Sequence, residues 1–383
     1  MLYYKINQVT HKKFQTIFNL LLRLYKNRQL SRGLSSSCHN FTLSYQPIAQ
    51  SEDNMAAHYF IYLVIGIAFL FDFVNGFHDA PNSISTIVAT GALKPIWAVV
   101  WAAFFNFIAF LFFHLKVAST LGAGLANPDV ITPFVILAAL SSAIIFNLFT
   151  WYIGLPSSSS HALIGGLVGA VIIAAGINNL KLLGLTKVLL AIVISPLLGL
   201  LLSALLLWLV HLFFSKNTKR TSHWFKRFQL ISAALLSLGH GGNDAQKTMG
   251  IIAVTLFSAN LLGPTFYVPI WIVISCNLVM GLGTLMGGWR IVKTLGERIT
   301  QLNAINGSIA EASSAAVLFA ATYLGIPVST THIVTGAITG AGTKNGLRSV
   351  NWKILQKIVL TWFITIPCTG LIAATIIAIQ RLI

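Results

Sequence analysis

The chain has 383 residues, 56% of them hydrophobic and only 9% charged, against about 25% charged in an average soluble domain. That balance excludes a soluble enzyme or binding module and identifies an integral membrane protein. The formal net charge of +17 comes from basic residues gathered in the N-terminal stretch and in short loops. This is the positive-inside distribution, and it argues for membrane orientation rather than for a nucleic-acid-binding face.

Residues 1–54 differ from the rest. They carry Lys5, Lys12, Lys13, Arg23, Lys26, Arg28 and Arg32, with no acid before Glu52. The apolar run at 14–22 is too short to cross a bilayer. The stretch reads either as a basic presequence or surface helix, or as sequence upstream of a true start at Met55. The membrane pattern begins at Ala56 without a linker, which favours Met55.

From there, apolar segments are predicted at 56–74, 96–115, 131–153, 162–178 and 183–214. A basic loop at 215–227, with Lys216, Lys219, Arg220, Lys226 and Arg227, then divides the chain. Further segments follow at 228–240, 249–263, 268–288, 308–324, 333–343 and 354–380. A second basic cluster holds Lys344, Arg348, Lys353 and Lys357. Runs such as 183–214 far exceed the roughly ten residues of a barrel strand, so the spans are helical. Cys38, Cys276 and Cys368 have neither metal nor redox spacing, and nothing calls for a cofactor.

A pair of polar motifs occurs twice. Gly76-Phe77-His78-Asp79-Ala80-Pro81-Asn82-Ser83 is followed by Gly154-Leu155-Pro156-Ser157-Ser158-Ser159-Ser160-His161. Gly241-Gly242-Asn243-Asp244-Ala245-Gln246-Lys247-Thr248 is followed by Gly325-Ile326-Pro327-Val328-Ser329-Thr330-Thr331-His332. The two copies divide the chain into 55–214 and 228–383, on either side of the basic loop. Looser echoes run in the same order: Trp101 and Asn106 with Trp271 and Asn277, and Ser142 with Ser313.

Polar groups inside apolar sequence are costly and functional by default. Gly and Asn beside Asp79 and Asp244 predict helix breaks there. Pro156 and Pro327 are expected to end one segment each, with the hydroxyl runs capping the next helix. Free N–H groups at such helix starts suit an anion. A carboxylate beside an anion makes sense if the ligand keeps a proton, because an ionised Asp only accepts hydrogen bonds. Phosphate carries such a proton near neutral pH and sulfate does not, so the carboxylates would reject sulfate. Alternatively, the carboxylates bind coupling cations.

These residues resemble the PiT family of inorganic phosphate transporters, in particular its bacterial branch. The likeness rests on 75–93 with 156–161 and on 240–252 with 327–332, and it extends over nearly all of 56–383. The resemblance implies an all-α membrane protein of about 12 segments, including re-entrant hairpins, built from two inverted-topology repeats in a bacterial inner membrane. It also implies phosphate import by cation-coupled symport. Carried over residue by residue, the phosphate-binding set is Asp79, Asn82, Ser158, Ser159, Ser160, Asn243, Asp244, Thr248, Ser329, Thr330 and Thr331. Pro81 departs from the small residue that the family pattern has there. A homodimer is a further implication. The charge of 215–227 places that loop in the cytoplasm. The resemblance puts both termini on the opposite side, against the basic N-terminal stretch.

Lys247 aligns with Asn82 between the copies and has three readings: an i,i+3 ion pair with Asp244, a point charge on phosphate, or a tethered cation. The last reading predicts coupling to protons, or to phosphate carried as a divalent metal complex, rather than to sodium. Asp79, Asp244, Lys247, Glu311 and Asp72 are the coupling-ion candidates. Asp72 lies two helical turns before Asp79 and faces either the same cavity or the interface. Glu311 carries a coupling ion or makes a structural contact. His161 and His332, like His78 and His240, are expected to bond a neighbouring carbonyl, with proton transfer as the sharper reading. The rival functions are transport of another oxyanion such as sulfate, and an intramembrane aspartyl protease formed by the two Asp residues. The protease leaves the paired hydroxyl motifs unexplained, and no Gly-x-Ser-x-Gly elbow is present.

Overall fold

The computed structural model describes residues 49–213, 219–263 and 265–382. Residues 1–53 and 54–383 are separate units, and the expectations for residues 1–48 lie outside the described residues. The helices before the basic stretch are α1 (Ala49–Ala89), α2 (Pro95–Ile108), α3 (Lys116–Gly124), α4 (Pro133–Ile153), α5 (Ser159–Ala175) and α6 (Leu182–Phe213). The later ones are α7 (Lys219–Ser258), α8 (Ile270–Met286), α9 (Trp289–Lys293), α10 (Ala304–Tyr323), α11 (Thr330–Gly342) and α12 (Trp352–Gln380). A single π turn at Thr294–Arg298 continues α9. Among the described residues there is no strand, only a bridge between Ala126 and Leu180.

In lipid every backbone group must find a partner within the protein, and the helix ends follow that demand. Thr132 caps α4 by accepting from the Val135 N–H, with Pro133 in the first turn. Gly154 ends the same helix in the left-handed region at φ 71°, which a side chain would disfavour. Asn303 caps α10 through the Asn306 N–H. Among the described residues, five helices are long and apolar enough to cross a membrane: His58–Ala89, Pro133–Ile153, Leu182–Phe213, Ala304–Tyr323 and Trp352–Gln380. Ile270–Met286 with Trp289–Arg298 makes a sixth span if its 64° bend is one broken crossing.

The expected helix breaks at the aspartates are not there. Asp79 lies inside the continuous α1 and Asp244 inside the continuous α7, so the segments predicted at 228–240 and 249–263 are one helix. The glycines beside the aspartates serve close approach instead. A Cβ on Gly76 would sit 2.2 Å from the Met280 carbonyl oxygen, and one on Gly241 would sit 2.5 Å from the Asn106 carbonyl oxygen. Breaking the helix would free carbonyls in the bilayer, whereas removing a side chain lets another helix come near. Pro81 is accommodated within α1, where Gly288 leaves room beside its ring and the Phe77 carbonyl.

Side-chain pairs show how the helices run. Asp72 meets Thr248, and Ser83 meets His240. As numbers rise along α1 they fall along α7, so the two helices are antiparallel. Within each copy the opposite holds. Phe60 meets Phe134 and Phe77 meets Trp151, so α1 and α4 are parallel. Gln229 meets Glu311 and Asn243 meets Thr322, so α7 and α10 are parallel. It follows that α4 and α10 point in opposite directions.

The helices after the hydroxyl motifs pack crosswise. In the first copy α5 lies on α12 of the second, and α11 of the second lies on α6 of the first. Small residues make both contacts, as in membrane helix pairs generally. Gly165 faces Ile366 and Gly169 faces Gly370, while Gly336 faces Pro196 and Gly340 faces Leu200. Gly165 and Gly336 are each four residues after the motif histidine, and Gly169 and Gly340 each eight.

A Cβ added at Gly169 would lie 2.1 Å from the Gly370 carbonyl oxygen, while one at Gly66 meets nothing within 4 Å. Gly169→Ala should therefore cost about 1–3 kcal/mol, the usual range for overpacking, and lower the thermal midpoint in detergent. Gly66→Ala should leave it unchanged or raise it; equal midpoints for the two variants would refute the close-packing argument.

Candidate functional site

The two motif pairs converge on one buried centre. Asp79 on α1 and Asp244 and His240 on α7 each offer a ligand atom, and these atoms all lie within 4.8 Å of one another. All three residues are buried. Two carboxylates this close inside a membrane protein require compensation, since an unpaired buried charge is strongly destabilising.

The compensation differs between the two. Asp244 Oδ1 receives the Lys247 ammonium at 2.5 Å and the Thr330 hydroxyl at 3.2 Å. His240 Nε2 approaches Asp244 Oδ2 at 3.4 Å. Asp79 has no lysine; its Oδ1 lies 2.7 Å from His78 Nδ1. A carboxylate only accepts, so Nδ1 carries the proton in that contact. His78 Nε2 faces the hydroxyls of Thr150 at 3.1 Å and Ser157 at 3.2 Å. One acid is thus tied to an ammonium and the other to an imidazole.

The hydroxyl motifs close the centre from both copies. Ser158 caps α5 by accepting from the His161 N–H, and Ser329 caps α11 by accepting from the His332 N–H. Both helix starts are buried, so their N–H groups give the centre positive dipole character. Lys247 also donates to the Ser160 hydroxyl and, at 2.8 Å, to the Val328 carbonyl. The Asn82 amide donates to the Thr331 hydroxyl at 2.9 Å. These contacts are counterparts: Lys247 aligns with Asn82, and Ser160 with Thr331. In each, a side chain from one copy reaches the hydroxyl run of the other.

The structure therefore brings together Asp79, Asn82, Ser158, Ser159, Ser160, Asp244, Lys247, Ser329, Thr330 and Thr331. Ser159 Oγ and Asp244 Oδ2 have no hydrogen-bond partner, which leaves buried polar atoms for a ligand. Asn243 braces the second motif, donating to Thr322 at 3.0 Å and to the Ile326 carbonyl at 3.4 Å. Thr248 is spent on Asp72, to which it donates at 2.8 Å. Asp72 is fully buried rather than interfacial. The His161 and His332 rings meet at a tilt of 47° with centroids 4.7 Å apart, and His332 stacks on Trp362 at 3.9 Å. His332 also keeps a backbone contact at Ile192, in line with the expected carbonyl partner.

Glu311 belongs to a separate buried cluster. It accepts from Thr86 at 2.5 Å, Gln229 at 2.9 Å and Ser232 at 2.6 Å. None of those three partners stands out in the sequence. The available signal was Gln229 and Ser232 at an i,i+3 spacing that shares one helix face. Thr150 and Ser157, which hold His78, were also missed; only their place beside the Gly-x-Pro motif marked them.

Known proteins resemble this chain over most of its length. The profile of the Phosphate transporter family matches residues 75–373. A Rhizobium meliloti (strain 1021) protein described as a probable low-affinity inorganic phosphate transporter is 55% identical over 312 residues, covering 81% of this chain and 93% of its own length. A Bacillus subtilis (strain 168) protein of the same description is 43% identical over 315 residues, covering 82% and 94%. A solved structure titled the sodium-dependent phosphate transporter matches with a TM-score of 0.77 at 25% identity, over 85% of this chain and 99% of that one.

Removing one member of the buried pair should harm more than removing both charges. Lys247→Met leaves Asp244 without its ammonium and should cost about 3–5 kcal/mol. The double variant Asp244→Asn with Lys247→Met should recover part of that loss in a thermal-unfolding cycle in detergent. Simple additivity would show that the 2.5 Å contact carries no coupling.

Proposed function

Since the chain belongs to the phosphate transporter family, we propose that its phosphate passes through the Asp79–Asp244 centre by cation-coupled symport with alternating access. The protein is an integral membrane transporter, a member of a family of transport proteins rather than enzymes. The observation that carries the proposal is the meeting of both motif pairs at one centre, with both helix starts and both carboxylates facing it.

In this reading phosphate enters with a proton. Its P–O⁻ oxygens take N–H and O–H donors from the starts of α5 and α11, including Ser159, Ser160, Thr330 and Thr331. Its P–OH donates to Asp79 or to Asp244 Oδ2, which His240 Nε2 approaches only at 3.4 Å. Sulfate lacks that donor and would set its full charge against two acids. The antiparallel run of α1 and α7 supports two inverted-topology copies sharing a midplane site. Import across a bacterial inner membrane, and assembly as a homodimer, complete the proposal.

Lys247 bears on the coupling ion. An ammonium has three donors, and here they go to Asp244, Ser160 and Val328. None is left for phosphate, so the point-charge reading loses ground. Three oxygens, from a carboxylate, a hydroxyl and a carbonyl, surround a fixed positive charge as they would a bound cation. This supports Lys247 as a tethered cation, with protons or a divalent metal carried with phosphate preferred to sodium. The solved relative is titled as sodium-dependent; Asn82 occupies the position aligned with Lys247 in the other copy and has no charge.

In proteoliposomes, radiolabelled phosphate uptake should be competed by arsenate and not by sulfate. Asp79→Asn and Asp244→Asn should each reduce uptake at least tenfold without loss of membrane insertion. Normal uptake by either variant would remove the paired-carboxylate site. Wild-type uptake should proceed in sodium-free medium under a proton gradient, and Lys247→Asn should shift it toward sodium dependence. A strict sodium requirement in the wild type rules out the tethered cation.

A further inference from the structure

Glu311 is a buried carboxylate outside the Asp79–Asp244 centre, and its surroundings break the repeat. The offset that aligns Asp79 with Asp244 pairs Thr86 with Ile251, Gln229 with Val64 and Ser232 with Ile67. The offset that aligns Gly154 with Gly325 pairs Glu311 with Leu140. Val64, Leu140 and Ile251 are buried in one apolar cluster, and Ile67 packs against it. The four residues that meet around a carboxylate in one copy are thus all aliphatic in the other. The shared architecture does not need this acid. A buried acid is costly in a membrane protein, and such groups mark ion or proton paths.

The polar contacts follow one another along α1. Nearest the centre, Ser83 lies 3.5 Å from His240 Nδ1. One turn on, Thr86 donates to Glu311 at 2.5 Å. A further turn on, Thr90 donates to the Gln229 side-chain carbonyl at 2.8 Å, and the Gln229 amide donates to Glu311 at 2.9 Å. Asp79, Ser83, Thr86 and Thr90 are spaced as one helix face. Thr86 stands about 10 Å along the axis from Asp79 at the usual rise per residue. The span His58–Ala89 ends there, and Thr90 just beyond it is only partly buried. In the other direction from the centre, Asp72 with Thr248 is followed by the aliphatic Ile67, Val64 and Ile251.

Glu311 is arranged for a proton rather than a metal ion. Its three partners, Thr86, Gln229 and Ser232, all donate to it, whereas a hard cation needs oxygens turned toward it. A proton needs only a second acceptor for one hydroxyl. Ser232 Oγ lies 2.6 Å from Glu311 Oε2 and 3.3 Å from the Gln229 backbone carbonyl. With Glu311 ionised, Ser232 donates to it. With Glu311 protonated, its O–H donates to Ser232 Oγ, and the Ser232 hydrogen turns to the Gln229 carbonyl. Both states are satisfied without displacing a heavy atom.

Among the described residues no charged group comes within ion-pair distance of Glu311. On α1, Asp79 is held by His78; on α7, His240, Asp244 and Lys247 hold one another, and Lys226 donates to the Gly91 carbonyl at 3.4 Å. His211 on α6 meets the Leu207 carbonyl, His332 on α11 meets Trp362, and Lys116 on α3 donates to the Tyr323 carbonyl. Lys187, His223 and Arg227 are exposed.

We infer that Glu311 is the proton relay between the carboxylate centre and the membrane face at which α1 ends. The proton leaves an O–H of the centre's acid or of bound phosphate, passes the Ser83 and Thr86 hydroxyls, and forms the Glu311 O–H. That bond then breaks as the proton passes to water beyond Thr90. The carboxylate is restored, and nothing is oxidised or consumed. The aliphatic counterparts give the opposite side no such route. The inference rests on the proton-coupled reading of transport but is tested apart from it.

The full chain in proteoliposomes is assayed in two modes. One is net phosphate uptake under a proton gradient, with a trapped pH dye. The other is exchange of labelled for unlabelled phosphate at equal pH, which needs no net proton movement. Glu311→Gln should lower net uptake and the accompanying proton entry at least tenfold, since a placed proton-transfer group is worth about 10²–10⁴-fold, and leave exchange unchanged. Glu311→Asp should restore part of the net uptake. Ser232→Ala should also slow net uptake, whereas Ile67→Ala at the counterpart position should not. Net uptake retained by Glu311→Gln, exchange lost along with it, or equal effects of Ser232→Ala and Ile67→Ala overturns the inference. If Glu311→Gln fails to insert, the Ser232 and Ile67 variants decide by the same measurement. Wild-type uptake without proton entry overturns the relay and leaves phosphate transport standing. Absence of any uptake counts against the transport reading instead. Infrared difference spectra of the purified protein across a pH step then decide the relay: a carboxylic-acid band missing from Glu311→Gln supports it, and no such band overturns it.

Discussion

Two carboxylates held within 4.8 Å of each other in a bilayer-embedded protein set the terms for the rest of the structure. Neither can be left bare, and neither can be solvated as at a surface. Each is therefore served by a different set of neighbours: Lys247, Thr330 and His240 for Asp244, and His78 for Asp79. Those neighbours are themselves fixed from the opposite copy or from the helix ends beside it. Lys247 reaches Ser160 and Val328, and His78 reaches Thr150 and Ser157. The charge pair thus ties four chain segments into one centre.

Packing outside the centre has the opposite chemistry and complements it. The helices that begin at the hydroxyl motifs are held by glycine faces against the last helix of the other copy. Such contacts use shape rather than charge, and in lipid that is the stronger device because apolar side chains gain nothing by leaving a hydrocarbon solvent. The centre then combines polar groups that a ligand can rearrange with a surround that stays packed. Glu311, with Thr86, Gln229 and Ser232, is a second polar cluster apart from the centre, and it links α1, α7 and α10.

How far the sequence could be read depended on the range of the interaction. The membrane class follows from composition, and the caps at Ser158 and Ser329 follow from hydroxyls placed after Pro156 and Pro327. Both were legible because they are local. The continuous helices through Asp79 and Asp244 were not. Gly76, Gly241 and Gly242 look like breakers along the chain, and only the neighbours they admit, Met280, Asn106 and Phe113, reveal their purpose. The ring contacts among His161, His332 and Trp362 were hidden for the same reason, as no periodicity links residues so far apart.

By itself the sequence determined that this is a helical membrane protein with a duplicated acid-and-hydroxyl motif, because apolar run length and motif order are written along one chain. It also marked Asn82 and Lys247 as the place where the copies differ. Only the tertiary structure decided that the two aspartates share one centre and that Lys247 spends all three donors there. The same is true of Glu311, whose three donors come from α1 and α7. Those facts depend on antiparallel helices meeting side by side, and helix direction in space is set by packing and charge pairing between distant segments, not by any local propensity.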